Sequence, residues 1–242
     1  MPEKIVGILG GMGPDATVDL FQKILRSTPA TRDQDHLRIL IDCNSKIPDR
    51  NEAALSRGED PFPYLRESAV GLEKAGAQLI AIPCNAAHCW HSEIQECVRI
   101  PVLHIMEAAA DHLAERYPDV RRVGLLAATV TVGRGLYQRA LERSRIGSIV
   151  PTEDSQARVM EVIRAVKAGR WGEDVRRLIR QQGEGLASQG AQAVIAGCTE
   201  IPLVLQDGDL SIPVVDATLA LALRAVREAR EEKGRGVCST AI

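Results

Sequence analysis

The sequence predicts an α/β protein built as two tandem, pseudo-symmetric α/β domains, each a mainly parallel sheet flanked by helices. Three observations carry that prediction. Short apolar runs alternate with helix-length amphipathic segments along the 242 residues, the pattern of βα units around a sheet buried on both faces. Gly-Ala-Gln occurs at 76–78 and again at 190–192, each time followed by an apolar run that ends on a cysteine, Cys84 or Cys198, 114 positions apart. Flanking pieces repeat in the same order: Ile100-Pro101-Val102-Leu103 with Ile212-Pro213-Val214-Val215 at an offset of 112, and Val6-Gly7-Ile8-Leu9 with Val123-Gly124-Leu125-Leu126 at 117. Three matches in one order at nearly one offset mark a duplicated unit.

Taken in order, the apolar, β-branched runs predict strands over 5–9, 37–43, 79–83, 102–105, 123–126, 194–196 and 212–215. Between them, apolar residues spaced for one helix face predict helices over 61–75, 106–117, 155–168 and 173–189. The first domain is expected to span 1–104 and the second 105–212, with 213–242 returning to complete the first. The polar stretch 231–242 reads as a frayed end, and Cys238 within it as an incidental thiol.

Bulk properties narrow the function. A net charge of -2 and a pI near 6.2 provide no basic surface for nucleic acid or anionic lipid. Residues 1–14 read as a strand entering a glycine turn, not as a charged segment before a long apolar core, and no run is apolar enough to span a bilayer. The expectation is a cytoplasmic protein with no membrane or nucleic-acid partner. Its six cysteines are then reduced thiols. Cys84, Cys89 and Cys97 with His88 and His91 raise the question of a metal, but their spacing fits no usual structural zinc pattern, and none is expected.

Cys84 and Cys198 carry the chemistry. In parallel α/β sheets ligands bind at the carboxyl ends of the strands, where both cysteines fall. Asn85 and Thr199 follow them and are good N-cap residues, so each thiol is expected beside a helix N-terminus that lowers its pKa. Mirror-related halves would aim the two thiols at each other across an interdomain cleft, the expected active site. Two bases on opposite faces of one carbon suit racemisation or epimerisation, whereas hydrolysis needs one cysteine with a histidine and an oxyanion site. The turn Gly10-Gly11-Met12-Gly13-Pro14 departs from the dinucleotide GxGxxG because Pro14 and Asp15 occupy its last region. It is read as a tight turn that brings backbone close to a substrate.

These segments resemble the aspartate/glutamate racemase family, in its aspartate racemase branch. The resemblance rests on Gly7-Ile8-Leu9-Gly10-Gly11-Met12-Gly13-Pro14 with Ala16-Thr17, and on Asn44 with Ile47-Pro48-Asp49-Arg50. It continues in Pro83-Cys84-Asn85-Ala86-Ala87-His88, Lys167-Ala168-Gly169 and Gly197-Cys198-Thr199-Glu200-Ile201. The resemblance implies an enzyme that racemises a small acidic amino acid without pyridoxal phosphate or any other cofactor, commonly as a homodimer. It assigns Cys84 to the proton of the D-enantiomer and Cys198 to that of the L-enantiomer. Arg50 and Lys167 would grip the side-chain carboxylate, for which a planar guanidinium and an ammonium are suited. Asn85 and Thr199 would hold the α-carboxylate, with Met12, Ala86 and Thr131 also against the substrate. Glu200 would orient a thiol or receive the ammonium group, although an acid at a helix start accounts for it equally. His88 would tune Cys84 from four residues away.

The family pattern is not met everywhere. Ala86 stands where a threonine is usual, and Ala128, Val130 and Arg134 stand where the second half's pattern has threonine, glycine and serine. These departures bear on the substrate more than on proton transfer. Two alternatives stay open: a broad-specificity racemase or related isomerase on the same scaffold, and a ligand-binding relative without catalysis.

Overall fold

The computed structural model describes residues 3–230, so the predicted frayed stretch 231–242, with Cys238, lies outside the described residues. The first half runs β1 (Val6–Gly10), α1 (Pro14–Ser27), β2 (Ile39–Cys43), α2 (Arg50–Ala54), α3 (Phe62–Lys74), β3 (Leu79–Ala81), α4 (His91–Glu96) and β4 (Val102–Leu103). The second runs α5 (Ile105–Arg116), β5 (Arg122–Leu126), α6 (Thr129–Gly133), α7 (Leu136–Glu142), β6 (Gly147–Ile149), α8 (Glu153–Lys167), α9 (Glu173–Ser188), β7 (Ala193–Ala196) and β8 (Val214–Asp216). A last helix, α10 (Ala217–Arg230), follows. The sheets are ordered β2-β1-β3-β4 and β6-β5-β7-β8, and every pairing is parallel.

The duplication extends to single hydrogen bonds. Gln78 N–H donates to Ile5 O at 2.8 Å, and its side-chain oxygen accepts from Ile5 N–H at 3.0 Å. Gln192 N–H donates to Arg122 O at 2.9 Å, and its side chain accepts from Arg121 and Arg122. The Gly-Ala-Gln signature is therefore a device that ends a helix and registers the next strand. Gly76 and Gly190 take positive φ, 101° and 93°, directly after α3 and α9.

Local sequence explains the main helices. α1 opens on Pro14 with Asp15 in its first turn, and it buries Ala16, Leu20 and Ile24 along one stripe. α8 starts at Thr152, whose hydroxyl accepts from Ser155 N–H, and ends on Arg164 and Lys167, complementing the helix dipole at both ends. β6 carried no strand signal because it is short and partly exposed at the sheet edge. Residue 105, predicted as strand, begins α5.

One apolar core joins the halves: Val6 and Ile8 of β1 share it with Leu125 of β5, Ile195 of β7 and the inner faces of α5 and α10. The expectation that 213–242 returns to the first half divides at Ala217. Strand β8 pairs with β7 in the second sheet, whereas α10 packs on α1, β3 and β4 as well as on α5. Lys23 of α1 ties this seam, 2.6 Å from Asp216 and 2.5 Å from Asp19.

Three histidine rings pack at the same junction. The ring centroids of His91 and His104 are 4.6 Å apart, and those of His88 and His104 are 5.0 Å apart. Burial, reinforced by His91, lowers the His104 pKa from 6.5 to about 4, and burial with both neighbours lowers that of His88 well below its usual value. A histidine whose folded pKa is depressed opposes folding once the unfolded chain binds the proton. Stability is therefore expected to fall as pH drops from 6.5 towards 4, and to fall less in His104→Gln. Urea midpoints measured across that range for both proteins check this.

Candidate functional site

In each sheet the crevice lies where neighbouring strands send their connections to opposite sides, between β1 and β3 and between β5 and β7. The turn after β1 and the Cys84 loop after β3 form one rim, and the start of α6 and the Cys198 loop after β7 form the other. The β1 turn needs glycine: Gly11 has φ of 90°, and a Cβ there would come within 2.3 Å of the Asn44 backbone.

The two cysteine loops are bonded to each other across the halves. Thr199 Oγ1 donates to Pro83 O, 3.2 Å away, so the residue after one cysteine holds the residue before the other. Tyr137 of α7 makes the second link, its hydroxyl donating to Asn85 Oδ1 at 2.7 Å. Its ring lies under the second loop, where a Cβ on Gly197 would be 2.7 Å from Tyr137 Cε2. Both cysteines are buried, as are Met12, Arg50, Asn85, Ala86, His88, Thr131, Thr199 and Glu200.

The expected lowering of a thiol pKa by a helix N-terminus is not what the structure has at Cys198. Asn85 and Glu200 precede short 3-10 turns, Ala86–Trp90 and Ile201–Leu203, and neither makes a side-chain cap; Thr199 binds Pro83 instead. Cys198 Sγ donates to Glu200 Oε2 at 2.9 Å. Burial first, then the Glu200 charge, push the Cys198 thiol well up, while Lys167 pulls the other way. Desolvation and an adjacent carboxylate outweigh a few peptide dipoles, so Cys198 rests protonated.

Lys167, the last residue of α8, has Nζ 4.0 Å from Glu200 Oε1. Burial lowers its pKa, but attraction from Glu200, Cys198 and Cys84 outweighs that and leaves it raised. Arg50 is fixed by backbone: Nη1 donates to Ile47 O at 2.9 Å and to Pro48 O at 2.7 Å, and Nη2 reaches Met12 O at 3.4 Å. Asp49 caps the helix that carries it, accepting from Asn51 and Glu52 N–H. Arg50, Lys167, Glu200, Gly13 and Asp49 line one cavity of about 250 Å³.

Four buried polar atoms on these residues have no partner: Arg50 Nε, Asn85 Nδ2, Thr131 Oγ1 and Glu200 Oε1. Leaving a buried donor or acceptor unpaired costs about 1–3 kcal/mol. Three can donate to carboxylates, and the fourth can accept from an ammonium group. His88 has a different part. Its Nδ1–H donates to Cys84 O at 2.9 Å while Nε2 accepts from Ile105 N–H at 3.1 Å, so the ring is neutral and braces the Cys84 backbone. Among the described residues no group of three or more His, Cys, Asp or Glu side chains is placed to hold a metal.

Tyr137 was missed by sequence reasoning. It sits in a short apolar helix segment, and its partner is 52 positions away. Arg134, a departure from the family pattern, also works across the halves, donating to Ala54 O at 2.6 Å.

Like parallel α/β halves, each with a cysteine loop after its third strand, share the fold of amino-acid racemases, a class of isomerase. The family model described as Asp/Glu/Hydantoin racemase matches residues 9–225, and the chain belongs to that family. It is similar to the aspartate racemase of Picrophilus torridus, at 33% identity and a TM-score of 0.80, over 93% of this chain and 94% of that one. An aspartate racemase homologue from Pyrococcus horikoshii matches at 26% identity and a TM-score of 0.76, over 94% of this chain and 100% of that one. The broad specificity amino-acid racemase RacX of Bacillus subtilis is 27% identical over 226 residues, 92% of this chain and 96% of that protein. Among the described residues no helix is long and apolar enough to cross a membrane.

Two outcomes follow from this geometry. Tyr137→Phe strands Asn85 Oδ1 and should lower stability by about 1–3 kcal/mol, with a fall in kcat, read by urea denaturation and initial rates. Cys198 should react slowly with iodoacetamide at pH 8, and Glu200→Gln should move the onset of reaction to lower pH, read by mass spectrometry of the Cys198 peptide.

Proposed function

We propose that this protein interconverts the enantiomers of aspartate by two-base proton transfer between Cys84 and Cys198, with no cofactor. The observation that carries the reading is the set of unpartnered buried atoms beside the joined cysteine loops: donors on Arg50, Asn85 and Thr131, and an acceptor on Glu200. A dicarboxylic amino acid offers two carboxylates and one ammonium to that set. In this reading Arg50 and Lys167 take the side-chain carboxylate, and Asn85 and Thr131 take the α-carboxylate. Thr199, whose hydroxyl holds Pro83, contributes as a brace.

For the D-enantiomer, Cys84 as thiolate removes the α-proton from one face while the Cys198 thiol delivers its proton to the other. The product is the L-enantiomer, with Cys84 protonated and Cys198 as thiolate. Glu200 and Lys167 then bear on that thiolate from opposite sides of the charge balance, the first disfavouring it and the second favouring it. The α-proton is far less acidic than a thiol, so the donors on the α-carboxylate must hold the charge that develops there.

A second reading, broad specificity, is favoured by Ala86 and Ala128, buried apolar groups where the family pattern has threonine, by Val130 in place of its glycine, and by the similarity to the Bacillus subtilis racemase. Loss of the circular dichroism of L-aspartate, set beside L-glutamate and L-alanine without added cofactor, separates the two. Cys84→Ser and Cys198→Ser should each slow racemisation by about 10²-fold or more and leave at most one-sided exchange of the α-proton with D₂O. Wild-type turnover in both variants would remove the two-thiol mechanism. Arg50→Ala should raise KM for aspartate far more than for alanine.

A further inference from the structure

A second, larger cavity of about 690 Å³ opens at the end of the 3-10 turn that begins after Asn85, bounded by both halves and by α10. Its walls include three arginines, Arg134, Arg139 and Arg224, and the three clustered histidines. Two acids also face it, and both are already neutralised. Glu228 is held by Arg224 at 2.9 Å, and Glu107 by Arg143 at 2.7 Å.

Arg134 and Arg139 have no carboxylate partner among the described residues. Each guanidinium spends one N–H group on a backbone carbonyl, Ala54 O at 2.6 Å and Arg134 O at 2.7 Å, out of five donors. His104 Nδ1 is buried and unpartnered. Uncommitted donors and cations, with the nearby acids already satisfied, make a receptor for negative charge. The volume lies within the range of about 300–1,000 Å³ typical of small-molecule sites.

This cavity reaches the catalytic loop by two short routes. His88, in its wall, donates to the carbonyl of Cys84 at 2.9 Å. Leu136, also in the wall, is followed by Tyr137, whose hydroxyl holds Asn85. We propose that this cavity is a second ligand site, for a small polyanion carrying phosphate or carboxylate groups, and that its occupancy is coupled to the Cys84 loop through His88 and Tyr137. The polyanion is held chiefly by Arg134 and Arg139, with His91 and His104 beneath it. Coupling between two binding sites is reciprocal, so substrate bound at the thiols changes polyanion affinity by the same factor.

Isothermal titration of the full-length protein with pyrophosphate and, separately, with citrate at fixed ionic strength tests the site and tells which anion chemistry it prefers. One saturable site is expected. Arg139→Ala, at an exposed position, should weaken it tenfold or more, whereas Arg66→Ala, exposed elsewhere, should not. The bound anion should also change the rate of Cys84 alkylation by iodoacetamide at least threefold in the wild type and not in Arg139→Ala. Absence of saturable heat with both probes overturns the site. So does heat that survives Arg139→Ala but disappears in Arg50→Ala, because that binding belongs to the thiol cleft. Binding that leaves Cys84 alkylation unchanged overturns the coupling.

Discussion

Two cysteine loops from opposite halves are bonded to each other before any substrate arrives. Thr199 holds the Pro83 carbonyl, and Tyr137 holds Asn85 while its ring fills the space beneath Gly197. Both contacts are buried, where hydrogen bonds gain strength and their loss is costly. This clamp fixes each cysteine loop relative to the other, and the rest of the site is built on the two loops it joins. It also explains why the glycine before Cys198 has no side chain to spare: a Cβ would displace the Tyr137 ring.

Charge at the cleft is balanced rather than neutral. Cys198 lies beside a carboxylate that keeps its proton on, and Lys167, itself held charged by that carboxylate, works against it. An arrangement of this kind keeps Cys198 protonated at rest. It also leaves acceptor capacity on Glu200 and donor capacity on Arg50, Asn85 and Thr131, which a bound zwitterion would satisfy. Arg134 shows that a departure from a family pattern can be put to other use: it crosses from α6 to the α2 carbonyl of Ala54, stitching the halves at the rim and lining the second cavity.

Much of this was legible in the sequence. The repeat of Gly-Ala-Gln with its strand and cysteine is local, and local patterns survive reading: hydrophobic period, a helix-ending glycine and the residue that follows a strand are set by near neighbours. β6 was not legible, being too short and too exposed to show a buried run; the return of the chain to the first half was expected, but the pairing of β8 with β7 in the second sheet was not. The helix N-termini predicted beside the thiols were the sequence's clearest overstatement. The turns there are 3-10 and uncapped, and at Cys198 burial with Glu200 pushes the pKa up instead.

The sequence by itself determined that two like α/β units exist and that each ends a strand on a thiol, because both facts are written in residues close along the chain. Only the tertiary structure decided what those thiols meet. Tyr137 and Asn85, Thr199 and Pro83, and Arg134 and Ala54 are 52, 116 and 80 positions apart. Protonation of Cys198 was likewise decided there, since desolvation sums over every group that excludes water, and no stretch of sequence contains that sum.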